Sequence, residues 1–136
     1  MTVIDTSAFC KFLMREQDWE IVGELFAPDS DLFGVGMLIT ESTNVIWKHV
    51  TKYGDREEQG WTMFSAMEKL FQANIVYIEP DIKYLKEALQ IGVKFQLPVY
   101  DSLFLAQAQH YDTTLVTCDK KQAKIAGELN IQVDLT

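Results

Sequence analysis

Residues 2–8 read TVIDTSA, a short apolar run that stops on an acid. Residues 114–119 read TLVTCD and repeat the same arrangement near the other end of the chain. Each run predicts a short strand followed by an aspartate, Asp5 in the first case and Asp119 in the second. Strands made of continuous apolar residues, rather than alternating apolar and polar ones, are typical of a parallel sheet that is buried on both faces. These two stretches therefore predict the centre of an α/β fold.

The rest of the chain alternates between strand-like and helix-like segments. Further strands are predicted over Leu32–Met37, Ile75–Ile78 and Ile131–Leu135. Helices are predicted over Phe9–Phe26, from near Thr40 to a stop at Gly54, and over Glu57–Ala73, Asp81–Phe95, Ser102–Tyr111 and Lys120–Glu128. Strands separated by helices predict a central, mostly parallel sheet with helices packed on it. No linker-like or low-complexity segment interrupts the chain, so we predict a single domain over residues 1–136.

The composition indicates a folded protein but does not favour nucleic acid binding. The 136 residues are 48% hydrophobic and 12% aromatic, which excludes a disordered chain. The formal net charge is −8, whereas a nucleic-acid-binding domain usually carries a basic patch. The N-terminus does not resemble a signal peptide, and the longest nearly apolar stretch, Phe33–Ile39, is too short to cross a bilayer. We therefore expect a cytoplasmic protein with no membrane contact, in which Cys10 and Cys118 are buried thiols.

Four acids fall where the predicted topology brings them together. Asp5 and Asp119 each follow a strand, and both project into the same crevice if those two strands are neighbours in the sheet. Asp101 heads a helix just before the fourth strand. Glu41 lies in the first helical turn after the second strand. The carboxyl ends of parallel strands form the edge at which such sheets bind ligands. Carboxylates gathered there repel one another unless a cation is present, and their oxygen atoms suit Mg²⁺ or Mn²⁺. Such an ion polarises a phosphodiester and lowers the pKa of an attacking water.

Helix capping is the alternative explanation for the same acids. Asp5, Asp101 and Asp119 all precede predicted helices, where aspartate is a favoured N-cap or first-turn residue. Glu41 would then be an ordinary acid of a first helical turn or of the surface. Capping does not explain why the first and fourth strands both stop on an aspartate. The joint pattern is therefore more specific for a metal site than any one of the acids.

Four stretches resemble the motifs of PIN domains, in the family's order and across nearly the whole chain. They are residues 3–8 (VIDTSA), 40–48 (TESTNVIWK), 97–108 (LPVYDSLFLAQA) and 114–119 (TLVTCD). The resemblance implies a three-layer α/β/α sandwich with a central, mostly parallel sheet of about five strands. It also implies an endoribonuclease that depends on Mg²⁺, with Mn²⁺ as the alternative ion. The length suits the VapC-type branch, whose members are toxins restrained by a cognate antitoxin and usually form homodimers.

The resemblance also assigns roles to individual residues. It implies catalysis by Asp5, Glu41, Asp101 and Asp119, with the metal held by Asp5, Asp101 and Asp119. Supporting roles fall to side chains near these acids that carry a hydroxyl or an amide, namely Thr6, Ser7, Asn44 and Thr117. Many relatives carry another acid shortly after the fourth motif, whereas Lys120, Lys121 and Gln122 follow it here. We therefore predict one metal ion rather than two.

Two other enzyme classes fit the sequence less well. A phosphotransferase of the haloacid-dehalogenase type needs a second aspartate two residues after the first, and Ser7 occupies that place. A receiver domain needs a paired acid cluster near its first strand and a lysine that closes the site. The remaining alternative is a catalytically silent PIN-like domain that binds a protein or RNA partner. The presence of all four acids argues against that alternative.

Overall fold

Five short strands form one wholly parallel sheet in the computed structural model, which describes residues 1–136. The strands are β1 (Thr2–Ile4), β2 (Leu32–Val35), β3 (Val76–Glu79), β4 (Thr114–Thr117) and β5 (Val133–Leu135). Their order across the sheet is β3-β2-β1-β4-β5. Val3 on β1 lies opposite Phe33 on β2 and Leu115 on β4. The predicted sheet is confirmed, and the two strands that lead to aspartates are neighbours near its centre.

Seven α-helices cover the two faces of the sheet. They are α1 (Thr6–Leu13), α2 (Trp19–Gly23), α3 (Gly36–Thr51), α4 (Glu57–Gln72), α5 (Leu85–Phe95), α6 (Val99–Tyr111) and α7 (Lys120–Glu128), with 3₁₀ turns at Glu24–Phe26 and Asp81–Lys83. The chain crosses the sheet one way from β1 to β3 and back the other way from β3 to β5. Right-handed crossovers therefore place α1–α4 on one face and α5–α7 on the other, as a three-layer sandwich. None of these helices combines the length and the apolar character needed to span a membrane.

The helix α6 lies deepest in the fold. Every residue from Ser102 to Ala108 is buried, and the helix packs against β1, β2 and β4. A helix enclosed on all sides has no polar face, which is why its sequence lacks a clear helical alternation of apolar and polar residues. Asp101 lies in the first turn of this helix. Asp101 is thus carried by a helix that belongs to the hydrophobic core, a cluster of 26 buried residues.

The predicted helix over Phe9–Phe26 is wrong as a single element. In the structure α1 ends at Leu13 and α2 begins at Trp19, with a turn between them. The backbone φ angles of Arg15 and Asp18 are 51° and 62°, in the left-handed region, and such residues interrupt a right-handed helix. Neither residue is a glycine or a proline, so no helix-breaking residue marked the turn.

The junction between β2 and α3 also differs from the prediction. The strand ends at Val35, earlier than predicted, and α3 begins directly at Gly36 instead of near Thr40. The helix folds back closely on the strand, because a Cβ atom on Gly34 would lie only 2.8 Å from the Leu38 side chain. Gly34 and Gly36 therefore belong to a strand-to-helix turn without a loop.

Both cysteines are free thiols, as predicted. Cys10 is buried, and its burial raises the pKa of the thiol to about 11. Cys118 is only half-buried, against the expectation of two buried thiols, because it lies in the short turn between β4 and α7.

Candidate acidic site at the carboxyl edge of the sheet

Asp5 is the most buried of the four acids, with 2% of its surface exposed. It caps the N-terminus of α1, where its Oδ1 accepts hydrogen bonds from the Ala8 amide at 3.0 Å and the Ser7 hydroxyl at 2.7 Å. Its Oδ2 accepts a hydrogen bond from the Thr117 hydroxyl at the end of β4. Burial raises the pKa of Asp5, these hydrogen bonds oppose the rise, and the charge of Asp119 adds to it. Asp5 is therefore both the N-cap of α1 and a member of the acidic site.

Asp119 reaches the same edge from the neighbouring strand. It caps α7, where its Oδ1 accepts hydrogen bonds from the Lys121 amide at 2.9 Å and the Gln122 amide at 3.2 Å. Its own amide donates to Thr117 Oγ1 at 3.0 Å, the hydroxyl that also binds Asp5. Since β1 and β4 pair directly, the two aspartates follow adjacent strands, which is the condition under which the sequence places both at one edge.

Glu41 lies in the second turn of α3, not in the first turn as predicted, because the helix starts directly after β2. Its half-buried carboxylate is held by the Thr6 hydroxyl, which donates to Oε1 at 2.7 Å. Burial raises the pKa of Glu41, the Thr6 hydrogen bond lowers it, and the charges of Asp101, Asp5 and Asp81 raise it further. Glu41 therefore lies within the electrostatic reach of acids from three other elements.

Asp101 lies in the first turn of α6 rather than ahead of the helix, since α6 begins at Val99. It is half-buried, and burial together with the charge of Asp119 raises its pKa, while the ammonium of Lys121 lowers it. The Gln122 side-chain amide donates to the Asp101 carbonyl oxygen at 3.2 Å and ties α7 to α6. Asp5 and Asp119 are therefore N-cap residues, whereas Asp101 is a first-turn acid of its helix.

Three of the predicted supporting residues lie in the hydrogen-bond network of the acids, namely Thr6, Ser7 and Thr117. Ser7 Oγ also accepts a hydrogen bond from the Cys118 amide at 2.8 Å, which ties α1 to the end of β4. Asn44 is exposed and makes no hydrogen bond to Glu41. Its role in orienting that carboxylate stays a prediction.

The four acids form one set of mutually repelling charges at the carboxyl edge. Each pKa that is raised in this set has at least one of the other acids among its causes. No three side chains of the residue types that bind metals are grouped as ligands of one ion in this conformation. Carboxylates nevertheless suit Mg²⁺, which keeps several of its waters and is often bound through only one or two carboxylates. The donor chemistry of the set therefore fits a hard divalent cation.

Two further acids at this edge were not predicted from the sequence. Glu79 is the last residue of β3, and Asp81 follows it in the 3₁₀ turn. Asp81 Oδ1 accepts a hydrogen bond from the Met37 amide at 2.9 Å, in the first turn of α3. The rule that pointed to Asp5 and Asp119, an acid at the end of a strand, also applies to these two residues and would have identified them.

Glu79 is almost fully buried, at 7% exposure, and is the centre of a hydrogen-bond network. Its Oε1 accepts from the Tyr84 hydroxyl at 2.6 Å and the Gln107 side-chain amide at 3.0 Å. Its Oε2 accepts from the Lys83 ammonium at 2.6 Å and the Tyr111 hydroxyl at 2.8 Å. Burial alone would raise the pKa of Glu79, but these four donors outweigh burial and lower it to about 2. The network ties β3 to α6, the helix that carries one of the four acids.

Comparison with known proteins shows which family this chain resembles over most of its length. The family described as PIN domain matches residues 2–128. A relative named Ribonuclease VapC3, from Pyrobaculum aerophilum, is 25% identical over 122 residues, which cover 90% of this chain and 92% of the relative.

Solved structures share the fold at low sequence identity. The structure of VapBC2 from Rickettsia felis, bound to a DNA fragment from their promoter, has a TM-score of 0.67 at 16% identity. That match covers 99% of this chain and 98% of the other chain. The structure of FitAcB from Neisseria gonorrhoeae has a TM-score of 0.66 at 16% identity and covers 98% of this chain and 96% of the other. These likenesses confirm the three-layer sandwich.

Proposed function

This chain belongs to the PIN-domain family, and on that premise we propose that it is a metal-dependent endoribonuclease that cleaves RNA phosphodiester bonds. The observation that carries the proposal is the convergence of Asp5, Glu41, Asp101 and Asp119 at one edge of the sheet, where Thr117 Oγ1 bonds both the Asp5 carboxylate and the Asp119 amide. Like charges held this close destabilise one another in the absence of a cation. The likeness to Ribonuclease VapC3 over most of both chains supports RNA as the substrate.

Asp5, Asp101 and Asp119 would hold one Mg²⁺ ion, or Mn²⁺ in its place. When bound, the ion supplies a positive charge that polarises a phosphodiester oxygen and lowers the pKa of a water molecule. Asp5 suits a fixed ligand, since hydrogen bonds from Ser7, Ala8 and Thr117 leave its carboxylate little freedom to turn. Asp119 is exposed and suits the side of the site that solvent and substrate reach.

Glu41 is the proposed proton acceptor. Its Oε1 is fixed by the Thr6 hydroxyl at 2.7 Å, and its Oε2 has no hydrogen-bond partner within the protein. The raised pKa of Glu41, caused by burial and then by the neighbouring acids, brings the group closer to the pH at which a base works efficiently. Oε2 is therefore the atom that would take a proton from the attacking water.

We further propose that the protein is a cytoplasmic toxin of the VapC type, with a cognate antitoxin as its partner and a homodimer as its assembly. The match to Ribonuclease VapC3 and the sequence motifs support this assignment. The net charge of −8 does not attract RNA, so local cations must offset it. Lys121 is one such cation, since its ammonium lowers the pKa of Asp101.

The direct test is cleavage of single-stranded RNA by the purified chain. We expect cleavage with Mg²⁺ or Mn²⁺, none after EDTA treatment, and full recovery when the metal is restored. Single-stranded DNA of the same sequence serves as the control substrate. Absence of cleavage with either metal, for a chain that is folded and free of antitoxin, would contradict the proposed activity.

Metal binding is also expected to raise the melting temperature, since a ligand that binds only the folded state stabilises it. At a metal concentration of about 100 times Kd the gain is about 2.7 kcal/mol. Differential scanning fluorimetry with MgCl₂ or MnCl₂ measures the shift, against NaCl at equal ionic strength. The shift is expected to disappear in Asp5→Asn. No shift at millimolar metal, together with no cleavage, would favour the silent binding domain.

A further inference from the structure

The helix that carries Glu41 starts without a capping side chain of its own. The N-cap position of α3 is Val35, whose side chain makes no capping hydrogen bond. The first amides of a helix have no partner within the helix and need one from outside it. Asp81 supplies that partner, because its Oδ1 accepts a hydrogen bond from the Met37 amide at 2.9 Å. The contact joins residues 44 positions apart, so it depends on the fold and not on local sequence.

The backbone at the start of α3 leaves space for the Asp81 carboxylate. A Cβ atom on Gly36 would lie 3.3 Å from Asp81 Oδ1, closer than an ordinary contact, so a glycine at the start of α3 leaves the needed space. The strands β2 and β3 are parallel neighbours with Val35 opposite Glu79. The turn after β3 is therefore held beside the start of α3 by the register of the sheet.

The same contact lies one helical turn before Glu41 on α3. Met37 and Glu41 are four residues apart, and residues at this spacing share one side of a helix. Burial is the main cause of the raised pKa of Glu41, and Asp81 is among the nearby charges that add to it. Thr6 holds the Glu41 carboxylate from α1. Glu41 is thus held directly by Thr6 and through its own helix by Asp81.

We propose that Asp81 is a positioning residue for Glu41, because it binds the first turn of α3 and so fixes the direction from which Glu41 faces the acidic site. The consequence for RNA cleavage rests on the proposed function, whereas the consequence for the geometry of α3 does not. The Asp81 side chain makes no hydrogen bond to Asp5, Asp101 or Asp119, so its effect on the site is expected to pass through Glu41.

A double-mutant cycle between Asp81→Ala and Glu41→Gln tests this role. Asp81→Ala alone is expected to lower kcat by about 10-fold, as is usual for residues that orient a catalytic side chain, and to leave KM unchanged. In the Glu41→Gln background the same substitution is expected to have no further effect, since the residue through which it acts has already been replaced. Asp81→Asn keeps an acceptor oxygen for the Met37 amide and is expected to retain most of the activity.

Gln59→Ala is the matched control. Gln59 Oε1 accepts a hydrogen bond from the Arg56 amide at 2.8 Å and caps α4, which begins at the far end of α3 from Glu41. This variant is expected to lower the melting temperature to a similar extent as Asp81→Ala and to leave kcat unchanged. Two NMR readouts need neither metal nor RNA. The Met37 amide is expected to exchange faster in Asp81→Ala but not in the control. The Glu41 carboxyl ¹³C shift is expected to change more in Asp81→Ala than in Asp81→Asn, which removes the same charge but keeps the acceptor for the Met37 amide.

Additive losses of kcat in the double-mutant cycle would overturn the positioning role, as would an equal loss in Gln59→Ala. Unchanged Met37 exchange and an unchanged Glu41 carboxyl shift in Asp81→Ala would overturn it as well. A wild-type chain that cleaves no RNA would contradict the proposed function alone. In that case the two NMR readouts decide whether Asp81 positions Glu41.

Discussion

Asp5→Asn is expected to lower the rate of RNA cleavage by at least about 100-fold. Removing a residue that only orients a metal ligand costs up to about 100-fold in activity, and removing the ligand itself should cost at least as much. Asparagine keeps the shape of the side chain but has one neutral oxygen in place of a charged carboxylate, and it is a poor ligand for Mg²⁺. The rate is measured under single-turnover conditions with labelled single-stranded RNA. Calorimetric titration of Mn²⁺ is expected to show weaker binding by the variant.

The fold of Asp5→Asn is expected to persist. Asparagine retains an oxygen that can accept the hydrogen bond from the Ala8 amide, so α1 keeps its cap. Burial raises the pKa of Asp5 in the folded state above its value in the unfolded chain. Such a carboxyl stabilises the fold at low pH, and this contribution is lost as the pH rises through the folded-state pKa. Without metal, burial disfavours the ionised form of Asp5, so replacing this carboxyl with a neutral amide should not lower the melting temperature.

Asp31→Asn is the matched control for this prediction. Asp31 precedes β2, so it lies at the amino edge of the sheet, opposite to the acidic site, and 76% of its side chain is exposed. The variant makes the same change of charge and is expected to cleave RNA at the wild-type rate. Equal rates in Asp5→Asn and Asp31→Asn would rule out a metal site at Asp5.

The sequence was sufficient to predict the sheet and the positions of Asp5 and Asp119, because both follow from local pattern. A short apolar run that stops on an acid is visible within six residues, and parallel strands present all such stops at one edge. The position of Asp101 near this edge followed from the same topology, although its helix starts earlier than predicted.

The contacts that the sequence did not predict depend on residues far apart in the chain. The direct junction of β2 and α3 depends on how Leu38 packs over Gly34. The sequence therefore predicted Glu41 in the first turn of the helix, whereas it lies in the second. The cap that Asp81 provides joins two elements that only the sheet order brings together. The turn after α1 depends on left-handed conformations at Arg15 and Asp18, which no local residue preference requires.

Glu79→Ala is expected to lower the free energy of unfolding by about 3–5 kcal/mol, the usual cost of removing one member of a buried charged network. Truncation leaves the hydroxyl of Tyr84 without its acceptor, and because Tyr84 is only 1% exposed, water does not readily replace that acceptor. The Gln107 side-chain amide keeps only its bond to the Gly34 carbonyl oxygen. Urea denaturation at pH 7 measures the loss. Tyr111→Phe removes only the hydroxyl that donates to Glu79 and accepts from Lys83, and it should cost less, about 1–2 kcal/mol.

The same network predicts how stability responds to acid. Four donors hold the pKa of Glu79 at about 2, against an ordinary value of 4.5, so the ionised group stabilises the fold above the higher value. This contribution, roughly 3 kcal/mol, is lost as the pH falls from about 4.5 towards about 2. Glu79→Gln keeps the side-chain length but cannot ionise. The difference in unfolding free energy between wild type and Glu79→Gln should therefore shrink steadily between pH 5 and pH 3. A difference that stays constant over this range would mean that the four donors do not stabilise the Glu79 carboxylate.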